Sequence, residues 1–348
     1  FNHASRILAK REAGIEPVYH WTLFAGMSQL KGSVDGKGPQ TRFHHPVGIA
    51  IDHDGNLFVA DTFNNTIRRI TRDGDASTLA GKAGEKGGKT DGKGEGARFH
   101  HPVHIAIGAR GQLYVTDFVN STIRMITKDG AVSTLAGSGE YGTADGTGSE
   151  ATFFWPSGIV AGPSGTIFVS DYQNHTIRAI SVTGEVSTVF GEAGKSGFVN
   201  GRGRAARFAG PEGMATDGRE NIFVADYGNC SIRVIDSTGE VRTVAGAPGS
   251  FDSVDAKGSD AKFNFPRDVA GDQFGNLYVA DSGNHTIRKI SRQSQVSTIG
   301  GAPGAKGSRE GAGNLARFNN PMGIAVGPDG KLYVTNRDDH TIFCGEPK

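Results

Sequence analysis

The sequence predicts an all-β fold, a six-bladed β-propeller, because one motif recurs along the chain at nearly constant spacing. An aromatic residue is followed three positions later by proline, as in "RFHHP" (42–46) and "KFNFP" (262–266). Six such prolines occur, 54 to 56 residues apart: Pro46, Pro102, Pro156, Pro211, Pro266 and Pro321. A fixed period of this length indicates a repeat architecture rather than a series of separate domains.

Each repeat contains four short β-rich segments separated by turn residues. In the first repeat they are "VGIAI" (47–51), "NLFVA" (56–60), "TIRRI" (66–70) and "ASTLA" (76–80). Asp-Gly and Asn-rich segments between them are typical of tight turns between antiparallel strands. Four strands per repeat, repeated six times, predict one four-stranded sheet per blade.

The two ends of the chain predict how the ring closes. The sixth repeat stops after its third strand, "TIFC" (341–344), and lacks the fourth. At the other end, "HWTLFAG" (20–26) aligns with the fourth strand "DASTLAG" (75–81). We therefore expect the N-terminal strand to complete the last blade, which removes an open sheet edge. Residues 18–348 are expected to form one propeller. Residues 1–17 are expected to be an N-terminal extension with a short helix at 5–14, or else a linker from a preceding domain.

Composition narrows the class of function. Lys and Arg number 37 and Asp and Glu 36, so the net charge of +1 provides no global attraction to nucleic acid or anionic membranes. Apolar runs fall short of the ~20 residues that span a bilayer. Cys230 and Cys344 lie in different repeats, which argues against a disulfide framework and a cysteine-based zinc site. Cysteine usage leaves the compartment undecided.

The segments "NHTIR" (174–178 and 284–288) and "YVAD" (278–281) resemble the NHL repeat, and the resemblance covers about residues 18–344. The longer pattern, with "VSTLAG" and a glycine-rich "DGxGxxAxF" segment, is similar to bacterial secreted NHL proteins and some multidomain eukaryotic ones. The resemblance implies a six-bladed propeller and favours a secreted or extracytoplasmic location, or a place in a larger chain. NHL propellers serve as RNA-binding, protein-binding and occasionally lyase-like modules, so the motif alone leaves function open.

Five repeats carry an aspartate at the end of the second strand and an arginine seven residues later. The pairs are Asp61 and Arg68, Asp117 and Arg124, Asp171 and Arg178, Asp226 and Arg233, and Asp281 and Arg288. The sixth repeat loses both at once, with Asn336 and Phe343 in their places. Joint loss predicts structural ion pairs buried in the blades, because breaking one partner of such a pair costs ~3–5 kcal/mol.

A second series lies in the glycine-rich loops, where an acid such as Asp35 precedes a cation such as Arg42 by seven residues. A ring of such cations could attract RNA, but each has a polar or acidic residue at fixed offset in its own repeat. We expect solvated loop pairs, worth ~0–1 kcal/mol each.

The positions after the repeat proline vary on the face where propellers usually bind ligands. Glycine is the rule two residues after the proline, but His104 and Asp268 replace it in blades 2 and 5, on opposite sides of the axis. One residue after the proline, Glu212 and Arg267 occupy adjacent blades. We take these four as candidates for binding a ligand or partner. Glu212 and His104 are weak metal candidates, but the equivalent residues cannot complete a ligand shell and Arg267 would repel a cation, so no metal or cofactor is expected.

The same face is aromatic. Phe63, Phe118, Tyr172 and Tyr227 follow the second strand, Phe154 and Trp155 precede a proline, and Tyr141, Phe198 and Phe251 lie in long loops. Aromatic residues with arginine anchor protein interfaces. The sequence therefore favours a non-catalytic scaffold that binds a protein or peptide, with a glycan as another ligand class.

Two alternatives stay open. One is a metal-dependent hydrolase, lactonase or lyase at the channel mouth, using Glu212, His104 and Asp268. The other is binding of single-stranded RNA by stacking, against which the near-neutral charge argues.

Overall fold

The computed structural model describes residues 17–218, 220–249 and 251–348. They form six antiparallel sheets, one per repeat, arranged as the blades of a propeller. The predicted fold class is confirmed. The expected N-terminal extension, with its helix at 5–14, lies outside the described residues except for Pro17. Among the residues that are described, no helix is long and apolar enough to cross a membrane.

Each blade is built from strands that follow one another outward from the axis. The innermost strands begin at the repeat proline: Pro46–Ile51, Pro102–Ile107, Pro156–Ala161, Pro211–Thr216, Pro266–Gly271 and Pro321–Val326. The second strands are Leu57–Asp61, Leu113–Asp117, Ile167–Asp171, Ile222–Asp226, Leu277–Asp281 and Leu332–Asn336. The third strands are Thr66–Ile70, Thr122–Ile126, Thr176–Ile180, Ser231–Ile235, Thr286–Ile290 and Thr341–Pro347.

The long loops cover the outer edges of the blades. The fourth strands of blades 1 to 5 are Asp75–Gly81, Ala131–Ala136, Glu185–Phe190, Glu240–Gly246 and Val296–Gly300. Two-residue strands from the loops pair with outermost strands in five blades, at Gly36–Lys37, Gly92–Lys93, Gly146–Thr147, Gly201–Arg202 and Gly311–Ala312. In blade 5 a single bridge between Lys257 and Gln295 takes that place. These additions shield edges that could otherwise pair with other chains.

Short 3-10 turns occur in two series along the described chain. Those after the second strands are Thr62–Asn64, Tyr172–Asn174, Tyr227–Asn229, Ser282–Asn284 and Arg337–Asp339. Those in the long loops are Gly38–Gln40, Gly94–Gly96, Gly148–Glu150, Gly203–Ala205, Gly258–Asp260 and Gly313–Leu315.

The sixth blade is closed by the N-terminal strand Tyr19–Gly26, as predicted. This strand pairs antiparallel with the C-terminal strand, with Tyr19 opposite Pro347 and Gly26 opposite Thr341. The blade therefore joins the two ends of the described chain through backbone hydrogen bonds, and the ring has no missing strand.

Trp21 fixes the position of the closing strand. Its indole N–H donates to the carbonyl of Ile299 at 3.0 Å, and its ring packs edge-on against Phe318 at 5.1 Å. The ring fits because Gly300 and Gly345 lack side chains; a Cβ at either would fall 2.6 Å from the indole. The equivalent of Gly345 is isoleucine in the other five repeats, so the indole matches this blade alone.

The hydrophobic core lies between the blades. Ala60 and Ile67 of blade 1, for example, pack with Ile105 and Val115 of blade 2. The aromatic residue of the repeat motif is fully buried in every blade: Phe43, Phe99, Phe153, Phe208, Phe263 and Phe318. Burial of each phenyl ring contributes roughly 1.5–3 kcal/mol, so this part of the motif holds the fold together.

The ten aspartates and arginines of the second and third strands form five ion pairs inside the blades. In blade 3, Arg178 Nη1 donates to Asp171 Oδ2 at 2.8 Å, and the guanidinium lies 5.0 Å from the centroid of Phe153. Asp171 also accepts the backbone N–H of Phe154 and an amide N–H of Asn174. The other four pairs have N–O distances of 2.8–2.9 Å, and their side chains are fully buried.

The expected pairing between loop acids and the cation seven residues later is wrong. Asp35 binds the buried Arg68 instead, at 2.6 Å, because the long loop folds back over its own blade. Arg42 donates to the carbonyls of Pro39 and Thr41. Each buried arginine thus holds a second side chain in addition to its strand aspartate, at Asp35, Asp91, Asp145, Asn200 and Asp255.

Candidate binding site at the mouth of the channel

The residue before each repeat proline has a left-handed backbone and lies where the long loop enters the innermost strand. Its φ is between +52° and +59° at all six positions: His45, His101, Trp155, Gly210, Phe265 and Asn320. Residues other than glycine rarely adopt this conformation. The surrounding structure must therefore hold five of these six residues in place.

At most of these positions a hydrogen bond from the preceding blade supports the backbone. The backbone N–H of His101 donates to Asn65 Oδ1 at 2.9 Å, and that of Gly210 donates to His175 Nδ1 at 3.0 Å. In the same way, the N–H of Asn320 donates to His285 Nδ1 at 3.1 Å, and that of His45 donates to His340 Nδ1 at 3.2 Å. At the corresponding position in blade 4, the N–H of Phe265 faces the thiol of Cys230. We call these contacts the interblade hydrogen bonds.

The histidines of the "NHTIR" segments are therefore part of the scaffold. Burial lowers the pKa values of His175 and His285 below their ordinary range. The neutral imidazole that results can accept a hydrogen bond at Nδ1, as the interblade hydrogen bonds require.

Four rings from blades 2 and 3 form the tryptophan cluster. Phe118 stacks on Trp155 with centroids 5.5 Å apart, and Trp155 meets Phe154 edge-on at 5.3 Å. Tyr141 then stacks on Phe154 at 4.8 Å and is 53% exposed. The cluster extends from the mouth to the outer rim of the face.

Four rings from blades 3 to 5 form the tyrosine cluster in the same manner. Tyr172 lies 6.2 Å from Tyr227, which stacks on Phe265 at 4.7 Å. Phe251 contacts Phe265 at 5.0 Å and is 60% exposed. Burial raises the pKa values of Tyr172 and Tyr227, so both phenols stay neutral at physiological pH.

The histidine cluster lies at the junction of blades 6, 1 and 2. Phe63 contacts His45 at 4.7 Å and His101 at 4.6 Å, and His45 meets His340 edge-on at 4.7 Å. Burial, followed by His45, lowers the pKa of His44 to about 4. Near neutral pH these imidazoles behave as uncharged aromatic rings. The three clusters together are called the aromatic mouth below.

Glu212 and Arg267, predicted to occupy adjacent blades, form an ion pair at the axis. The guanidinium of Arg267 lies 4.1 Å above the ring of Tyr227 and donates to its hydroxyl at 3.3 Å. Burial raises the pKa of the Glu212 carboxyl, and Arg267 opposes that rise. Among the described residues no three histidine, cysteine or carboxylate side chains are grouped so that they could hold a metal ion.

The glycines of the innermost strands are required by close approach of the next blade. A Cβ at Gly213 would lie 2.8 Å from the carbonyl of Arg267, and Gly48 and Gly158 face the carbonyls of Val103 and Glu212 even more closely. His104 and Asp268 depart from this rule, and both are buried, with 6% and 4% exposure.

Asp268 is used within the fold. Its carboxylate accepts the backbone N–H of Val269 and that of Ile324 in the next blade, each at 2.9 Å. Both oxygens of this candidate residue therefore already accept backbone N–H groups of the innermost strands. Burial, and to a lesser degree Arg267, lowers the pKa of His104 to about 4. A ligand-binding role for these two residues stays a prediction.

Arg337 is a residue of the mouth that the sequence reasoning missed. It follows the second strand of blade 6, where the other blades carry Thr62, Phe118, Tyr172, Tyr227 and Ser282. Its guanidinium lies 5.9 Å from the centroid of Phe63 and 3.3 Å from Asp338 Oδ1. The sequence does contain a signal for Arg337, because the other repeats have an aromatic or hydroxyl side chain at this position and blade 6 has a cation.

The opposite face has clefts between blades, which the sequence did not predict. One of about 680 Å³ lies between blades 1 and 2 and is lined by Asp52, Phe58, Arg69 and Arg110 among others. Another, of about 380 Å³, lies between blades 4 and 5 beside Phe274. These clefts lie at the hairpin turns, away from the aromatic mouth.

The NHL repeat family matches residues 263–290 and 318–344, in blades 5 and 6. The chain is 28% identical over 341 residues to NHL repeat-containing protein 2 of Bos taurus. That match covers 87% of this chain but 47% of the bovine protein, so the chain spans about half the length of this relative.

Solved structures share the fold at low sequence identity. A Bacteroides thetaiotaomicron protein of unknown function superposes with a TM-score of 0.74 at 17% identity, covering 96% of this chain and 77% of that one. Virginiamycin B lyase from Staphylococcus aureus superposes with a TM-score of 0.58 at 14% identity, covering 94% and 100%. At these identities the likeness concerns the fold alone.

Fold and mouth together describe a six-bladed propeller with aromatic side chains on its loop-bearing face. Its strand pattern and its "NHTIR" segments agree with the NHL repeats matched in blades 5 and 6, and the chain is similar to an NHL repeat-containing protein over most of its length.

Proposed function

We propose that the propeller is a non-catalytic scaffold whose aromatic mouth binds a protein or peptide partner. The observation that carries this proposal is that each of the three ring clusters runs without a break from half-buried rings to exposed rings at Phe63, Tyr141 and Phe251. Rigid aromatic side chains supply contact area at low entropic cost, and interfaces are enriched in them.

The backbone under the mouth supports the same proposal. The interblade hydrogen bonds hold the left-handed residues His101, Gly210 and Asn320 before any ligand arrives. A preformed surface loses little conformational entropy when a partner binds. In this proposal residues 18–348 act as one unit, and residues 1–17 as a linker.

Catalysis at the mouth has less support. Of its three proposed polar groups, Glu212 is bound to Arg267 and Asp268 is bound to backbone N–H groups. Two of the groups that would activate water or abstract a proton are therefore engaged in the fold. RNA binding also has less support, since the loop arginines donate to carbonyls of their own loops.

Selection from a random peptide library displayed on phage tests the proposal. Trp155→Asn and Phe265→Asn remove one ring each, and asparagine suits the left-handed backbone because Asn320 has it there already. We expect selected peptides to bind each variant about tenfold more weakly or worse, as for central aromatic anchors.

The matched control is Phe274→Ala, an exposed ring on the opposite face. It should leave the affinity of the selected peptides unchanged. Peptides that lose affinity only for the Phe274 variant would place the binding surface elsewhere. A glycan array on the same protein separates the second ligand class from the first.

A further inference from the structure

Two arginines reach the mouth with part of their hydrogen-bonding capacity unused. A guanidinium has five N–H donors. Within the described chain, Arg267 donates to Glu212 and Tyr227, and Arg337 donates to Asp338. The side chains of Arg267 and Arg337 are 29% and 31% exposed. Both therefore present donors to whatever enters the mouth.

The two guanidinium groups are held toward the same region. Arg267 rests on the ring of Tyr227, and Arg337 lies beside the ring of Phe63. Arg267 lies at the start of the innermost strand of blade 5, and Arg337 directly follows the second strand of the adjacent blade 6. Both arginines also oppose the burial-driven rise in the pKa of Glu212.

The carboxylates of the mouth are less accessible than these cations. The side chain of Glu212 is 6% exposed, and Asp268 is buried against backbone N–H groups. Asp338 is 38% exposed, but it accepts hydrogen bonds from Arg337 and from the amide of Asn320. A ligand therefore meets mainly aromatic rings and positive charge.

We propose that the partner is an acidic peptide, whose side-chain carboxylates bind Arg267 and Arg337 while a neighbouring apolar side chain packs on the tryptophan cluster. This inference rests on the proposed function and specifies the chemistry of the partner. Arginine suits the task because its planar fork binds a carboxylate through two parallel N–H···O bonds.

The charge pattern favours an acidic peptide over a nucleic acid strand. A polyanion needs a track of cations along its backbone. The loop arginines that could form one are turned inward, each donating to two carbonyls of its own loop: Arg42, Arg98, Arg207 and Arg317. Two cations between aromatic walls fit isolated carboxylates better.

The test compares two end-capped peptides of nine residues, one alternating aspartate with leucine and phenylalanine, the other with asparagine at each aspartate. Fluorescence polarisation measures their binding to the full chain. We expect the aspartate peptide to bind at least about tenfold more tightly than the asparagine peptide. Arg337→Met should remove most of that difference, whereas Arg110→Met, on the opposite face, should preserve it.

Arg267→Met could harm folding by leaving Glu212 buried and unpaired. The double variant Glu212→Gln with Arg267→Met removes both charges, and it too should lose the preference for aspartate. Equal binding of the two peptides, or full preference in Arg337→Met, overturns the inference.

Two further outcomes separate the proposals. If asparagine peptides bind and require Trp155, the scaffold function stands and the acidic partner does not. If an oligouridine binds and neither peptide does, the anion is a phosphate and both proposals fail.

Discussion

Blade 6 differs from the other five blades in how it fills the same internal space. In blades 1 to 5 an arginine lies about 5 Å over the motif phenylalanine and pairs with an aspartate, as Arg178 does with Phe153 and Asp171. In blade 6 Phe343 takes the position of the arginine, and its ring lies 5.7 Å from that of Phe318. The cation–π contact of the other blades is replaced in blade 6 by a contact between two phenyl rings.

The residue at the aspartate position shows which of the contacts of aspartate is kept in all the blades. Asn336 still accepts the backbone N–H of Asn319, at 2.5 Å, as Asp171 accepts that of Phe154. Only the charge has been removed, together with the arginine that required it. The comparison teaches that the site needs a backbone acceptor and a filled volume, while the ion pair is one of two ways to provide them.

The largest expected effect comes from the strand that makes blade 6 different. Deleting residues 18–26 should sharply lower the melting temperature, because it opens a sheet edge and removes Trp21 from the core. The milder change Trp21→Ala should cost about 3–5 kcal/mol, as for large core truncations. Chemical denaturation measures both.

Thr22→Ala, on the exposed side of the same strand, is the matched control and should change stability little. An unaltered melting temperature after the deletion would show that the closing strand is dispensable.

The next largest effect is expected when the ion pair of one blade is replaced by the residues of blade 6. Arg178→Met alone should cost about 3–5 kcal/mol, since it leaves Asp171 buried without its partner. Converting blade 3 to the residues of blade 6, with Asp171→Asn and Arg178→Phe together, should cost clearly less. Denaturant unfolding of Asp171→Asn, Arg178→Phe and the double variant gives the coupling energy. Simple additivity would mean that the two side chains do not act as a pair.

The smallest effect concerns the junction between blades 6 and 1. Burial lowers the pKa of His340 below the ordinary value of 6.5, so the unfolded chain takes up the proton first as pH falls. The contribution of the neutral imidazole to the free energy of unfolding is therefore fully present above pH 6.5. It decreases as the pH falls toward the pKa of His340 in the folded protein. His340→Asn should reduce this acid sensitivity by up to about 1 kcal/mol, while keeping the acceptor that Asn65 provides in blade 1.

Melting temperatures at pH 7.5 and pH 5 measure that change, with His175→Asn as a second variant away from the closing blade. Equal acid sensitivity in wild type and variants would exclude the interblade hydrogen bonds as its source.

Regular spacing made most of the fold predictable. A period of about 55 residues and the missing fourth strand led to six blades and to Tyr19–Gly26 as the closing strand. The ion pairs were accessible for the same reason, because residues seven apart on paired strands have a set geometry, and because Asn336 and Phe343 change together.

Contacts made by loops were not predictable in this way. Asp35 and Arg68 are 33 residues apart, and only the path of the long loop brings them together. Asp268 was expected to bind a ligand at the mouth, but its carboxylate accepts the backbone N–H of Ile324 in the next blade. Arg337 was overlooked because its importance comes from Phe63 of another blade, a neighbour that no spacing within one repeat indicates.

The pairing of Tyr19 with Pro347 has a mechanical consequence. These residues are opposite each other at the same end of two antiparallel strands. Tension applied through both of them acts along the inter-strand hydrogen bonds and perpendicular to the strands, so the bonds load one after another. The strand would peel from that end inward until the load reaches Trp21, two residues along, whose indole is enclosed by Gly300 and Gly345. Resistance to peeling is therefore concentrated at a single side chain.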